Sequence, residues 1–165
     1  MKNKSLDVNK LRSYFTSHLN NIYCAKSHLV ERLPELQDQP AFSDLQQAIE
    51  KTLKTVTEQL NRIEEIYLIL NVKSSIENCE GMISLIEESY LNIHKYSDEQ
   101  LLRDMSIIFY MQNIESLEMG SFHILHMTAN KLENAHIARL LQENFDEAQS
   151  NRELLMQINA KYVGN

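Results

Sequence analysis

Apolar residues recur along this chain at alternating spacings of three and four, the period of a helix that buries one stripe. Five such stretches follow one another. The first runs Val8, Leu11, Phe15, His18, Ile22, Ala25, Leu29, with Asp7 as its N-cap and an end near Pro34. The second, from Ser43 to Leu70, reads Leu45, Ile49, Thr52, Val56, Gln59, Ile63, Ile66, Leu70. The third is shorter: Ile76, Cys79, Ile83, Ile86, Tyr90, Ile93, with Ser74 and Glu77 in a capping-box pattern. The fourth is introduced by Ser97 and Gln100 and reads Ile108, Met111, Glu115, Glu118, Phe122, Leu125, Ala129, Leu132. A second apolar flank on this helix (Ile107, Tyr110, Ile114, Leu117, Ile124) predicts contact with more than one neighbour. After a turn at Glu133-Asn134 the fifth reads Ile137, Leu141, Asn144, Ala148, Asn151, Leu155, Ile158, Tyr162.

The pattern therefore predicts an all-α fold: a four-helix bundle with an additional crossover helix, the third, between the second and fourth. Composition agrees. With 165 residues, 43% hydrophobic, only three glycines and two prolines, the chain suits one helical domain over 1–165 and not a turn-rich β fold. Net charge is -7 and no basic block occurs, which argues against a nucleic-acid partner. No apolar run is long enough to span a bilayer, and none follows the basic Met1-Lys2-Asn3-Lys4, so neither a membrane role nor a secretory signal is expected. Cys24 and Cys79 lie far apart and read as reduced core residues of a cytoplasmic protein.

Chemistry enters through the polar residues that interrupt the stripes. Thr52 and Gln59 need only neutral hydrogen bonds. His18 competes with Leu19 for a core position and reads as an edge residue; Lys26 sits just off the seam, where its stem can reach water. Gly81 marks either a close helix contact or a weak spot. Glu115 and Glu118 are different. They sit one turn apart in the middle of an apolar stripe, where a carboxylate needs a cation, a shared proton, hydrogen bonds or a wet gap. Glu147, beside Ala148, leans toward the same seam from helix five. A dinuclear iron or manganese site in a bundle takes one glutamate from each of two helices and Glu-x-x-His from each of the others. The literal Glu-x-x-His, Glu133 to His136, lies at a turn without a counterpart. His123 and His126 miss the main seam and read as surface or dimer contacts. The three glutamates thus make either a metal or proton site or a polar layer satisfied by Thr, Gln, Asn, Tyr or water. No nucleophile with an adjacent base, phosphate loop or Cys-x-x-Cys is present.

Several stretches in order, 22–29 (Ile-Tyr-Cys-Ala-Lys-Ser-His-Leu), 59–64 (Gln-Leu-Asn-Arg-Ile-Glu), 79–88 with Leu85-Ile86-Glu87-Glu88, 112–118 (Gln-Asn-Ile-Glu-Ser-Leu-Glu) and 140–147, resemble the YciF/YciE family of ferritin-like proteins. The resemblance implies a ferritin-like bundle, a homodimer, a stress association and a metal pair held between helices. Against that family's pattern Lys26 stands where an acid is typical, Lys54-Thr55-Val56-Thr57 where acids and a histidine are typical, Ser116 in place of a histidine, and Arg152 near an acid's place. Glu115, Glu118 and Glu147 carry over as metal candidates. The expected protein is then non-catalytic, with a largely lost metal site, no favoured cofactor, and Lys26 supplying the missing positive charge to Glu115 or Glu118. The alternative is a metal-dependent oxidase or iron-handling protein that uses Glu115, Glu118 and Glu147 with iron or manganese.

Overall fold

The computed structural model describes residues 7–75 and 79–163. Among these the chain forms five α-helices: α1 Val8–Arg32, α2 Ser43–Leu70, α3 Glu80–His94, α4 Gln100–Lys131 and α5 Ala135–Val163, with a short 3-10 turn at Leu33–Leu36 after α1. The Asp7 carboxylate caps α1 by accepting from the Asn9 and Lys10 amides. Asn134 does the same for α5, accepting from Ile137 N–H at 3.0 Å. α3 begins at Glu80, not after Ser74, and Glu77 lies outside the described residues. α4 is flanked by Glu99 without a side-chain cap bond, so Ser97 and Gln100 form no capping box. Just before α2, the Ala41 and Phe42 amides donate to buried Asp104 of α4 at 2.8 and 2.9 Å.

Side-chain pairs set the directions. Tyr67 reaches Asn20 and Tyr23 reaches Glu64, so α1 and α2 run antiparallel. Gln59 meets Asn144 and Glu65 meets His136, so α2 and α5 do too. A short turn makes α4 and α5 antiparallel, which leaves α2 and α4 parallel and requires a long crossover; α3 lies in it.

The core has two apolar halves. One gathers Leu29, Leu45, Ile49, Val56, Ile108, Met111, Leu155 and Ile158. The other gathers Phe15, Leu19, Ile22, Ile63, Ile66, Phe122, Leu125 and Leu141. On every long helix a buried polar residue falls between them: Lys26, Gln59, Glu115 with Glu118, and Asn144 with Asn151.

Leu19 takes the core position and His18 turns outward against Tyr14, ring centroids 4.3 Å apart, as expected. A Cβ added at Gly81 would meet nothing within 4 Å, so no close helix contact calls for that glycine. The cysteines are buried but not reduced: Cys24 and Cys79 form a disulfide, Cα atoms 6.0 Å apart, tying α1 to the residue that precedes α3. Helix packing brought together two residues with a sequence separation of 55, which no local pattern signals. The cysteine argument for a reducing compartment falls with it.

Candidate functional site

The central polar layer holds the chemistry. On α1, Lys26 follows Ala25 on the inward side and is fully buried, so its stem does not reach water. Its Nζ donates to Glu118 Oε2 on α4 and lies 5.4 Å from the centroid of the Phe122 ring. Glu118 is 1% exposed. The bridge thus joins two charges in an apolar surrounding, where each alone would be costly.

Glu115, one turn earlier on α4, is 3% exposed, and its Oε1 accepts from Asn151 Nδ2 of α5 at 3.2 Å. Burial pushes the Glu115 carboxyl up to about 8, the neighbouring Glu118 charge adds to the rise, and Lys26 and Asn151 oppose it. Glu115 Oε2 and Glu118 Oε1 have no other hydrogen-bond partner among the described groups, yet the two carboxyls lie within hydrogen-bonding reach. Two ionised carboxylates cannot bond one another. A proton on Glu115, the carboxyl that burial pushes up, supplies the donor between them.

On the α2–α5 side the layer is built from amides, with an arginine and its glutamates at the edge. Gln59 Nε2 donates to the Asn144 carbonyl at 3.2 Å, and Asn144 Nδ2 donates to the Gln59 carbonyl at 3.4 Å. Arg62 donates to Asn144 Oδ1 at 3.0 Å and holds Glu147 through two bonds of 2.6 and 2.7 Å, with Glu143 at 3.2 Å.

The glutamates singled out by spacing therefore part company. Glu115 and Glu118 share a buried pocket of charge; Glu147 does not face them, because the bidentate Arg62 pair holds its half-buried carboxylate at the bundle surface. Nor do the spaced histidines join. Glu133 sits in the turn at φ 56°, and His136 pairs with Glu65 at 2.7 Å. His123 lies tilted beside Phe145, ring centroids 5.9 Å apart, and His126 contacts Asn130 at 3.3 Å. Among the described residues no three His, Cys, Asp or Glu side chains are arranged to hold a metal ion. A dinuclear metal set needs a cage of anionic and imidazole ligands. Here an ammonium points at one of the two central carboxylates and amides occupy α2 and α5, so these residues do not fit such a pair.

Arg62 and Asp104 were not singled out by spacing. Asp104 had a legible signal, since it falls on the α4 seam one turn before Ile108. Arg62 had none, being one charge among many on an outward face.

Comparison with known proteins gives consistent results. A family described as a domain of unknown function, DUF892, matches residues 10–164. Protein YciF of Escherichia coli strain K12 is 26% identical over 143 residues, covering 86% of both chains. A crystal structure of YciF, described as an E. coli stress protein, superposes with a TM-score of 0.87 at 25% identity, covering 94% of this chain and 98% of that one. YcfI of Rhodopseudomonas palustris, described as a candidate structural protein, superposes at 0.84 with 24% identity, covering 92% and 96%, which speaks to the fold alone. No helix among the described residues is long and apolar enough to cross a membrane.

Proposed function

The chain belongs to the DUF892 family, and on that footing we propose that it is a non-catalytic structural protein of the YciF type, in which the Lys26 ammonium replaces a metal as the central cation of the bundle. The observation that carries this reading is the buried Lys26–Glu118 pair, with Glu115 kept neutral beside it. An ammonium satisfies one carboxylate and a proton satisfies the other, so the cluster is electrically complete without a metal. The stress role of the E. coli relative supports assigning this chain a part in stress response.

The protein acts as a homodimer in this reading. Phe109, Leu117, Ile124 and Met127 are exposed and lie on the α4 face opposite its buried seam. A helix apolar on both sides calls for a second partner.

The test is metal retention. Protein purified without a metal-affinity tag is exposed aerobically to ferrous iron and, separately, to manganese, then desalted. The expected result is no bound metal above a buffer control. Near-stoichiometric metal that disappears in a Glu115→Ala, Glu118→Ala double variant overturns the proposal in favour of an oxidase or iron-handling protein.

A further inference from the structure

Lys26, Glu118 and Glu115 bring together an amine, a carboxyl in contact with it, and a second carboxyl able to carry a proton. All three are 3% exposed or less and are held on packed helices. These are the components of amide formation. We propose that Lys26 and Glu118 condense to an intramolecular isopeptide bond between α1 and α4, with Glu115 relaying the protons.

The step balances without an outside reagent. Proton transfer within the ion pair gives the neutral amine and carboxylic acid that react. The Lys26 Nζ lone pair attacks Glu118 Cδ, the new C–N bond forms, and the carbonyl electron pair moves to oxygen. Glu115 gives its proton to the departing hydroxyl and takes one from the nitrogen. The C–O bond breaks, one water leaves, and Glu115 is again a carboxylic acid. Asn151, bonded to Glu115 Oε1 at 3.2 Å, orients the relay.

Three features drive this step forward. Helix packing presets the contact, and well-oriented intramolecular reactions reach effective concentrations of about 10⁵–10⁸ M. A cavity of about 20 Å³ beside Glu115, with an apolar wall, gives the released water room but no hydrogen-bond partner, so the water is not held there to reverse the step. Condensation also removes two buried charges, and the reverse reaction needs water that the two apolar halves exclude.

The test is the intact mass of the full chain, denatured and reduced so that the Cys24–Cys79 disulfide makes no contribution. The expected wild-type mass is one water, about 18 Da, below that of the sequence. Trypsin does not cut after an acylated lysine, so peptide 13–32 should emerge joined to peptide 104–131. Glu115→Gln and Lys26→Arg, each checked for native helicity, should have full mass and separate peptides. Full wild-type mass, both fresh and after prolonged incubation at neutral pH, overturns the proposal; so does a missing water that persists in Lys26→Arg. The inference rests on the Lys26–Glu118 pair of the proposed function, which is the precursor whose place the amide then takes at the centre of the bundle, and the two fail separately. Full mass with no retained metal removes the isopeptide and leaves the structural reading, whereas retained metal removes the structural reading whatever the mass.

Discussion

Replacing Lys26 by methionine keeps most of the buried stem and deletes the ammonium. Glu118 then stays at a position 1% exposed, beside the buried Glu115 and without a counter-charge. Removing one partner of a buried pair typically costs about 3–5 kcal/mol, because the remaining charge is desolvated and uncompensated. Lys26→Met should lose that much at pH 7. Replacing both charges by apolar groups of similar size removes the penalty, so Lys26→Met/Glu118→Met should lie within about 1–4 kcal/mol of wild type, on the stable side. The coupling between the two positions is then at least about 3 kcal/mol, far above the ~0.2–1 kcal/mol of exposed pairs. Guanidinium unfolding followed by circular dichroism, on all four proteins at one concentration, measures the cycle. An isopeptide would also be lost in either single variant, so intact masses are read alongside; the coupling is expected with or without it. A single variant that loses less than about 1 kcal/mol, or effects that simply add, would refute a compensated charge pair at the centre of the bundle.

Glu115 has a folded-state acidity near 8 against 4.5 for the free side chain, so the folded protein binds one more proton than the unfolded chain between these values. Stability from this group is therefore fully present below pH 4.5 and is lost as pH rises toward 8, at up to about 1.4 kcal/mol per pH unit. Glu115→Gln should flatten the dependence between pH 5 and 8; an unchanged slope in denaturant melts would count against the buried acid. Reduction of the disulfide, or Cys24→Ala, frees a loop with a sequence separation of 55, which the chain-entropy relation values at about 4 kcal/mol; a melting temperature indifferent to reductant would contradict it. Asp104→Ala deprives the Ala41 and Phe42 amides of their acceptor and should cost about 1.5–3 kcal/mol, with faster amide exchange at the start of α2 as the local readout. If the proposed homodimer forms through the exposed α4 face, wild type should have the dimer mass in light scattering and Phe109→Asp with Ile124→Asp the monomer mass with helicity retained; a monomeric wild type, or an unchanged mass in the variant, refutes that interface.

Much of this arrangement is visible in the periodicity of the chain, because a helix seam is a local property. Bounds for α2 match the structure, the choice of Leu19 over His18 follows from crowding on one face, and Glu115 and Glu118 stand out as charges in an apolar row. What spacing cannot supply is the partner across the bundle. Glu147 lies next to a seam residue, yet Arg62 on another helix captures it. Lys26 looks able to reach solvent until the fold brings a carboxylate of α4 against its amine; only the substitution at a position typically acidic in the YciF/YciE family pointed inward. The cysteine pairing is illegible for the same reason.

A purely apolar centre would be as stable as this one, so the polar layer needs a reason other than stability. The two core halves are built largely from Leu, Ile and Phe, which pack acceptably in several registers. The layer between them does not. Sliding α1 by one turn against α4 would strand Lys26 and Glu118, and sliding α2 against α5 would break the reciprocal Gln59–Asn144 bonds while pulling Arg62 from Glu147. Each misregister leaves buried charges or amides unpaired, a penalty that mismatched methyl groups do not incur. The layer therefore acts as a register key for two antiparallel pairs. In the structural reading proposed above, this is the work of the Lys26–Glu118 centre.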